Sequence, residues 1–384
     1  MTVFHFVINN SCNLCCKYCG EEAFDRRIIN KYKSFPEVDE NIPEEMNFSI
    51  QTILAFLKSQ ENPTLVFYGG EPLLSHKKIE EIVSKIDFPC ILAIQTNGTL
   101  LDRISTKTIN KFSTILVSID GKRETTDYFR GEGTYKKIIS NIKLVIKNGF
   151  KGNIIARMAL MEPIDFYREA TYLLKNKDYS FKEIHWQMNA NFYPDFEYRN
   201  FKDWSKNYFD GVKKLLDLWI KEIKKGKVIK LYPFLGIIKR IIDIENKKDF
   251  ENYYLPCGAG HSGFAIQTDG TIIPCPIMIG MKEYYLGNII KSKITEKELN
   301  KKRVNVTGCS SCSHYKICGG RCLYSNIIRP WQKEEYKYLC NLTKKTIDLL
   351  EEKYKKEIKP QINNEKIKKE DFNYSQYIGP EIIP

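Results

Sequence analysis

The sequence predicts an α/β protein built on a parallel sheet, and three observations carry that expectation. Short apolar runs alternate with longer helical stretches through residues 2–189. Most of those runs end in glycine-containing or polar turns, where α/β proteins place their chemistry. Six such strands interleaved with helices imply parallel pairing with right-handed crossovers. With 384 residues the chain can bury a large core and more than one domain. Hydrophobic residues make up 42% and charged residues 28%, ordinary for a soluble protein. No apolar run approaches the ~20 residues of a membrane span. The first residues lack the basic start of a signal peptide, so the expected compartment is the cytoplasm, with no membrane partner. The formal net charge is +13, carried by lysine-rich helices such as that around Lys213-Lys214. Such lysines usually form a solvated face, and no RRM or KH signature favours a nucleic-acid partner.

The elements follow in order. Val3-Phe4-His5-Phe6-Val7-Ile8 reads as a buried strand. Pro43-Glu44-Glu45 opens a helix expected to run to about Lys58, since proline and acids suit a first turn. Thr64–Tyr68 is a strand ending in Gly69-Gly70-Glu71-Pro72, whose glycines permit close backbone approach and whose glutamate is expected to face the crevice. A helix near 76–86, the strand Ile91–Thr96, a helix near 102–111 and the strand Thr114–Ile119 come next. A helix from Tyr135 to Asn148, a strand near 153–161, a helix near 164–176 and a strand near 183–189 complete the alternation. Residues 190–256 read as mostly helical, with Trp219 on an apolar stripe and therefore a core residue. Thr268-Asp269-Gly270 is the turn of a hairpin between Phe264–Ile266 and Thr271–Ile273. A lysine-rich helix from Leu342 to about Lys356 leads to a last stretch, 377–384, too apolar for a simple solvated tail.

Twelve cysteines in a reducing compartment point to metal rather than disulfides. Four lie at 12–19, seven between 257 and 340, and Cys90 stands alone as a packed thiol. In the first group Cys12, Cys16 and Cys19 have the spacing C-x3-C-x2-C, and Cys15 falls outside it. Three thiolates on a cubane cluster leave one iron open to bind a substrate or cofactor. The alternative from spacing alone is a zinc site, for which His5, inside the preceding strand, is a poor fourth ligand.

This stretch resembles the signature of the radical S-adenosylmethionine (radical SAM) superfamily, and Gly69-Gly70-Glu71-Pro72, one strand–helix unit later, resembles its GGEP motif. The resemblance implies a partial (β/α)6 TIM-like barrel over residues 1–200, open on one side, with a [4Fe-4S] cluster on Cys12, Cys16 and Cys19. Its open iron would bind the amino and carboxylate groups of S-adenosylmethionine (AdoMet). Tyr18 would pack near the adenine, and Gly69, Gly70, Glu71 and Pro72 would contact the methionine amino group. Ser118 and Asp120 are the ribose candidates, and Arg130, in competition with Arg157, the partner of the carboxylate.

The later cysteines run Cys257, Cys275, Cys309-x2-Cys312-x5-Cys318-x3-Cys322 and Cys340. Zinc-ribbon pairs are one reading of such a set. The order also resembles the seven-cysteine SPASM domain of peptide- and protein-modifying radical SAM enzymes, here spanning 256–341 after a helical bridge at 201–255 and before a C-terminal helix and tail at 342–384. That resemblance implies two auxiliary [4Fe-4S] clusters, one on Cys309, Cys312, Cys318 and Cys340 and one on Cys257, Cys275 and Cys322, with His261 a candidate fourth ligand. It implies reductive cleavage of AdoMet and use of the 5′-deoxyadenosyl radical to modify a peptide or protein, with a flavodoxin- or ferredoxin-like electron donor. Anaerobic sulfatase-maturating relatives carry an aspartate base directly after the cysteine equivalent to Cys275. Here Pro276 stands there, which disfavours sulfatase maturation. Neither end is expected to house a winged-helix leader-recognition domain. The catalytic base stays unassigned. The alternatives are radical chemistry on RNA or on a small-molecule cofactor precursor, and a non-enzymatic zinc or iron–sulfur scaffold.

Overall fold

A computed structural model describes residues 2–19, 37–189, 199–246, 255–291, 309, 311–328 and 333–374. Its centre is a ten-stranded sheet. Strands β1 (Val3–Asn9), β2 (Thr64–Gly69), β3 (Ile91–Thr96), β4 (Thr114–Ser118), β5 (Asn153–Leu160), β6 (Glu183–Met188) and β7 (Lys230–Leu231) lie side by side in chain order. All neighbouring pairs among them are parallel. The helices between them are α1 (Ile50–Lys58), α2 (His76–Lys85), α3 (Thr106–Ile109), α4 (Arg123–Arg130), α5 (Thr134–Lys147), α6 (Phe166–Lys175) and α7 (Phe201–Ile223), and α8 (Tyr232–Glu245) follows β7. This is the parallel sheet that the alternation predicts, in the partial barrel that the resemblance implies.

The hairpin does not form a separate layer. Strand β8 (Gly263–Ile266) pairs parallel with β1, pairing Val3 with Gly263 and Phe6 with Ile266. Strand β9 (Thr271–Ile273) returns antiparallel, and β10 (Gly287–Asn288) pairs with it. The cysteine-rich segment therefore continues the barrel sheet on the side of β1. Beyond it lie α9 (Tyr315–Cys318), α10 (Leu323–Ile328), α11 (Lys333–Lys353) and α12 (Lys359–Asn363).

Period-two alternation decides which side chains face outward. Phe4 meets Phe56 of α1 edge-on at 5.0 Å, and Phe67 packs on Phe112 at 5.8 Å. Trp219 is wholly buried against Phe234 and Phe372 and donates to the Ile229 carbonyl at 2.8 Å. It is a core residue, and truncating such a side chain costs about 3–5 kcal/mol.

Several elements depart from the sequence expectation. The helix expected from Pro43 begins at Ile50, capped by Ser49, which accepts from Thr52 N. Residues 43–47 instead bind neighbouring loops: Glu45 bridges Asn9, and Asn47 N donates to the Thr268 carbonyl at 3.0 Å. The helix near 102–111 is only α3, since Leu100 and Leu101 are buried in irregular backbone before it. Helix α4 was not expected; its sequence, RETTDYFR, lacks a long apolar stripe and is organised by tertiary contacts. Helix α11 starts before Leu342 and carries Cys340. After α12, Phe372 is buried and Lys230 Nζ donates to the Asp371 carbonyl at 2.6 Å, so the chain to residue 374 lies along β7 and α7. The apolar stretch 377–384 lies outside the described residues. No described helix is long and apolar enough to cross a membrane.

Candidate active site

The strands' C-terminal ends open onto a cavity of about 460 Å³. The inner faces of β2 to β6 supply Tyr68, Gln95, Ser118, Arg157 and Gln187. On one side of it are Cys12, Cys16 and Cys19. Pro276, Ile277 and Ile279, which follow Cys275, also line it. Cys15 is exposed and is not part of the lining, in keeping with its place outside the spacing.

The cysteine loop is held by backbone approach and by a buried network. Gly69 has φ +147°, and a Cβ there would sit 2.2 Å from the Asn9 carbonyl oxygen. A Cβ on Gly70 would sit 2.2 Å from the Ser11 oxygen. Only glycine lets the end of β2 lie this close to the loop. Leu14 N points at Cys12 Sγ at 3.4 Å, and Asn97 Nδ2 reaches the same sulfur at 3.8 Å. Lys17 N donates to the Phe129 carbonyl at 2.9 Å. Tyr18 packs on Phe129 with ring centroids 5.4 Å apart, and its hydroxyl donates to Asp120 at 2.6 Å.

Asp120 is fully buried and forks onto Arg130, with Nε at 2.7 Å and Nη2 at 2.9 Å. It also accepts from Ala159 N at 3.1 Å. Burial pulls the Arg130 pKa down, but Asp120 outweighs it and holds the guanidinium above its ordinary range. The two residues expected to meet AdoMet are thus first of all partners of each other. Neither Asp120 nor Glu71 is among the cavity-lining residues, whereas Arg130, Ser118, Tyr18, Gly69 and Gly70 are.

Glu71 does not face the crevice as its motif position suggested. It is wholly buried and accepts from Leu73 N at 2.9 Å, Thr96 Oγ1 at 2.8 Å and Asn97 N at 2.7 Å. Three donors from a turn and the end of β3 draw the carboxylate inward. Burial pushes its pKa up to about 7 despite those hydrogen bonds. Pro72 is buried as the first residue of the turn that Glu71 caps.

The thiols suit an iron–sulfur cluster. Burial raises the Cys12 thiol, and raises that of Cys16 to about 11 although Arg130 opposes it. These thiols are therefore protonated in the free chain, and a soft metal binding their sulfurs would displace the protons. Among the described residues no three His, Cys, Asp or Glu side chains are close enough to share a single ion.

The later cysteines sort into two places. Cys257, Cys275 and Cys322 share a small core with Leu255, Ile273, Met278 and Tyr324. Cys312 N donates to the Cys309 carbonyl at 3.0 Å, and Cys318, raised by burial, is within electrostatic reach of Cys340. His261 is half-buried in the turn before β8, where its N–H donates to the Gly258 carbonyl at 2.9 Å.

Sequence reasoning missed Asn97, Tyr68, Gln95 and Gln187 as site residues. Their only signal was position at, or just beyond, the C-terminal ends of strands. Arg157, named as a competitor of Arg130, lines the cavity and donates from Nη2 to Gln187 at 2.6 Å.

Residues 6–170 match the Radical SAM superfamily. A cysteine-type anaerobic sulfatase-maturating enzyme of Clostridium novyi is 25% identical over 82% of this chain and 85% of its own length. The corresponding protein of Clostridium perfringens is 24% identical over 86% of this chain and 91% of its own. Among solved structures, native anSMEcpe with bound AdoMet superposes with a TM-score of 0.66 at 21% identity, covering 95% of this chain and 98% of that one. Streptococcus suis SuiB bound to precursor peptide SuiA gives 0.52 at 14% identity, covering 86% and 73%.

Proposed function

With residues 6–170 a radical SAM domain as the premise, we propose that this enzyme modifies a peptide or protein. The observation that carries the reading is the shared cavity: the Cys12–Cys19 loop lines it together with the Pro276–Ile279 segment that follows Cys275. Cys12, Cys16 and Cys19 would hold a [4Fe-4S] cluster, which would supply the electron for reductive cleavage of AdoMet to methionine and the 5′-deoxyadenosyl radical that abstracts hydrogen from the substrate. The chain's own groups position the reactants and exclude water. Tyr18 offers its ring to the adenine, and Ser118 its hydroxyl to the ribose. Arg157 rather than Arg130 takes the carboxylate, because Arg130 is committed to Asp120. Asp120 and Glu71 act as positioning residues for the loop and for the end of β3. Cys309, Cys312, Cys318 and Cys340 hold one auxiliary cluster. Cys257, Cys275 and Cys322, with His261 or a substrate atom, hold the other. A small flavodoxin- or ferredoxin-like protein supplies electrons.

The names of the Clostridium relatives favour a second reading, cysteine-type maturation of a sulfatase. Against it stands the cavity's chemistry. Pro276 occupies the expected position of a base, and no described Asp, Glu, Lys or His lines the cavity. Anaerobic reconstitution, followed by iron analysis and a 5′-deoxyadenosine assay after reduction, tests the proposal. About twelve irons, as three four-iron clusters, and 5′-deoxyadenosine formation are expected. About four irons would remove the auxiliary clusters, and no AdoMet cleavage would overturn the assignment.

A further inference from the structure

Two arginines are buried where the C-terminal thiols come together. Arg240 on α8 is 8% exposed and Arg321 is 6% exposed. Arg240 donates from Nη1 to the Lys316 carbonyl at 3.0 Å, on the short helix α9 that ends in Cys318. Its charge reaches Cys318 and Cys257, one thiol from each group, with Asp243 and Tyr374 also facing it. Arg321 lies between Cys318 and Cys322 in the chain, at φ +66°. Its guanidinium sits over the Tyr336 ring at 4.2 Å, one helical turn before Cys340 on α11. Its charge reaches Cys340 and Cys318.

A buried guanidinium is expensive unless a negative charge answers it. Asp243 answers part of the Arg240 charge, and a sulfur site beside either arginine adds negative charge, its reduction potential following net charge and local hydrogen bonding. We infer that Arg240 and Arg321 are electrostatic positioning residues that make the C-terminal iron–sulfur sites easier to reduce. Arg240 serves both groups, and Arg321 serves the group of Cys309, Cys312, Cys318 and Cys340. The inference rests on the proposed function, in which those thiols hold clusters. One-electron reduction adds a negative charge to a buried site, and a fixed cation beside it stabilises that form.

The test is a dithionite titration of the full chain, reconstituted anaerobically and followed by electron paramagnetic resonance, with iron and sulfide measured in parallel. Arg240→Gln is expected to make reduction of both C-terminal clusters about tenfold less favourable, which is 59 mV for one electron. Arg321→Gln is expected to do so for one of them. Arg240→Lys keeps the charge and should stay within about twofold of the native ratio. The cluster at Cys12, Cys16 and Cys19 should not move in any variant. Full iron with unmoved potentials in Arg240→Gln and Arg321→Gln overturns the inference alone. A native protein with about four irons overturns the cluster reading and the inference with it. If Arg240→Gln loses iron, full loading of Arg240→Lys supports the role of charge, and loss in both overturns it.

Discussion

The two cysteine regions are organised in opposite ways. Cys12, Cys16 and Cys19 sit on one short loop at the end of a strand, and that loop is clamped by β2, β3 and α4. The C-terminal thiols come from a turn, a hairpin end, a short helix and the long helix α11. β8 joins the sheet beside β1, and α8 holds α9 through Arg240, which sets these elements side by side. A contiguous site inherits its ligand spacing from sequence and needs the fold to anchor it. A dispersed site needs the fold to exist at all.

The largest expected effect separates the two regions outright. Cys12→Ala should abolish 5′-deoxyadenosine formation and remove about four irons while leaving the C-terminal iron. Cys322→Ala should do the reverse, lowering C-terminal iron while AdoMet cleavage persists. If each variant emptied both regions, the two would be one cooperative unit and the contrast would fail.

Asp120→Asn leaves the buried Arg130 without its carboxylate. Breaking a buried pair from one side costs about 3–5 kcal/mol. Chemical denaturation should show that loss, and iron retention at the Cys12 loop should fall with it. Gly70→Ala should cost about 1–3 kcal/mol through overpacking against Ser11. Its effect on iron loading should be confined to the first cluster, read by spectroscopy of the reconstituted protein.

The most gradual effect is a pH dependence at Glu71. Burial raises its folded pKa to about 7, above the 4.5 of an ordinary glutamate. Between those values the folded chain binds more protons than the unfolded one, so stability falls as pH rises through the window. The contribution lost by pH 8 is at most about 3 kcal/mol. Glu71→Gln should flatten the thermal-stability profile between pH 5 and about 8. An unchanged slope would show that the three donors keep Glu71 ionised.

Much of the molecule was legible in the sequence. The six strands, the hairpin at Thr268-Asp269-Gly270 and the core role of Trp219 follow from periodicity and turn chemistry, which are local. The cysteine spacings needed no structure either, because ligand order along a chain is sequence. Helix α4 was invisible because RETTDYFR is held by contacts distant in sequence: Lys17 N on Phe129 and the Asp120–Arg130 fork. The aspartate and arginine read as cofactor contacts became partners of each other. Glu71 turned inward because Thr96 and Asn97, twenty-five and twenty-six residues away, arrive at its carboxylate. Sequence alone determined which groups this protein has for its chemistry and in what order they come. Tertiary structure decided which of them face the cavity and which cancel each other's charge. A charge's role depends on its neighbours within a few ångströms, and strand register and helix packing, not chain order, choose those neighbours.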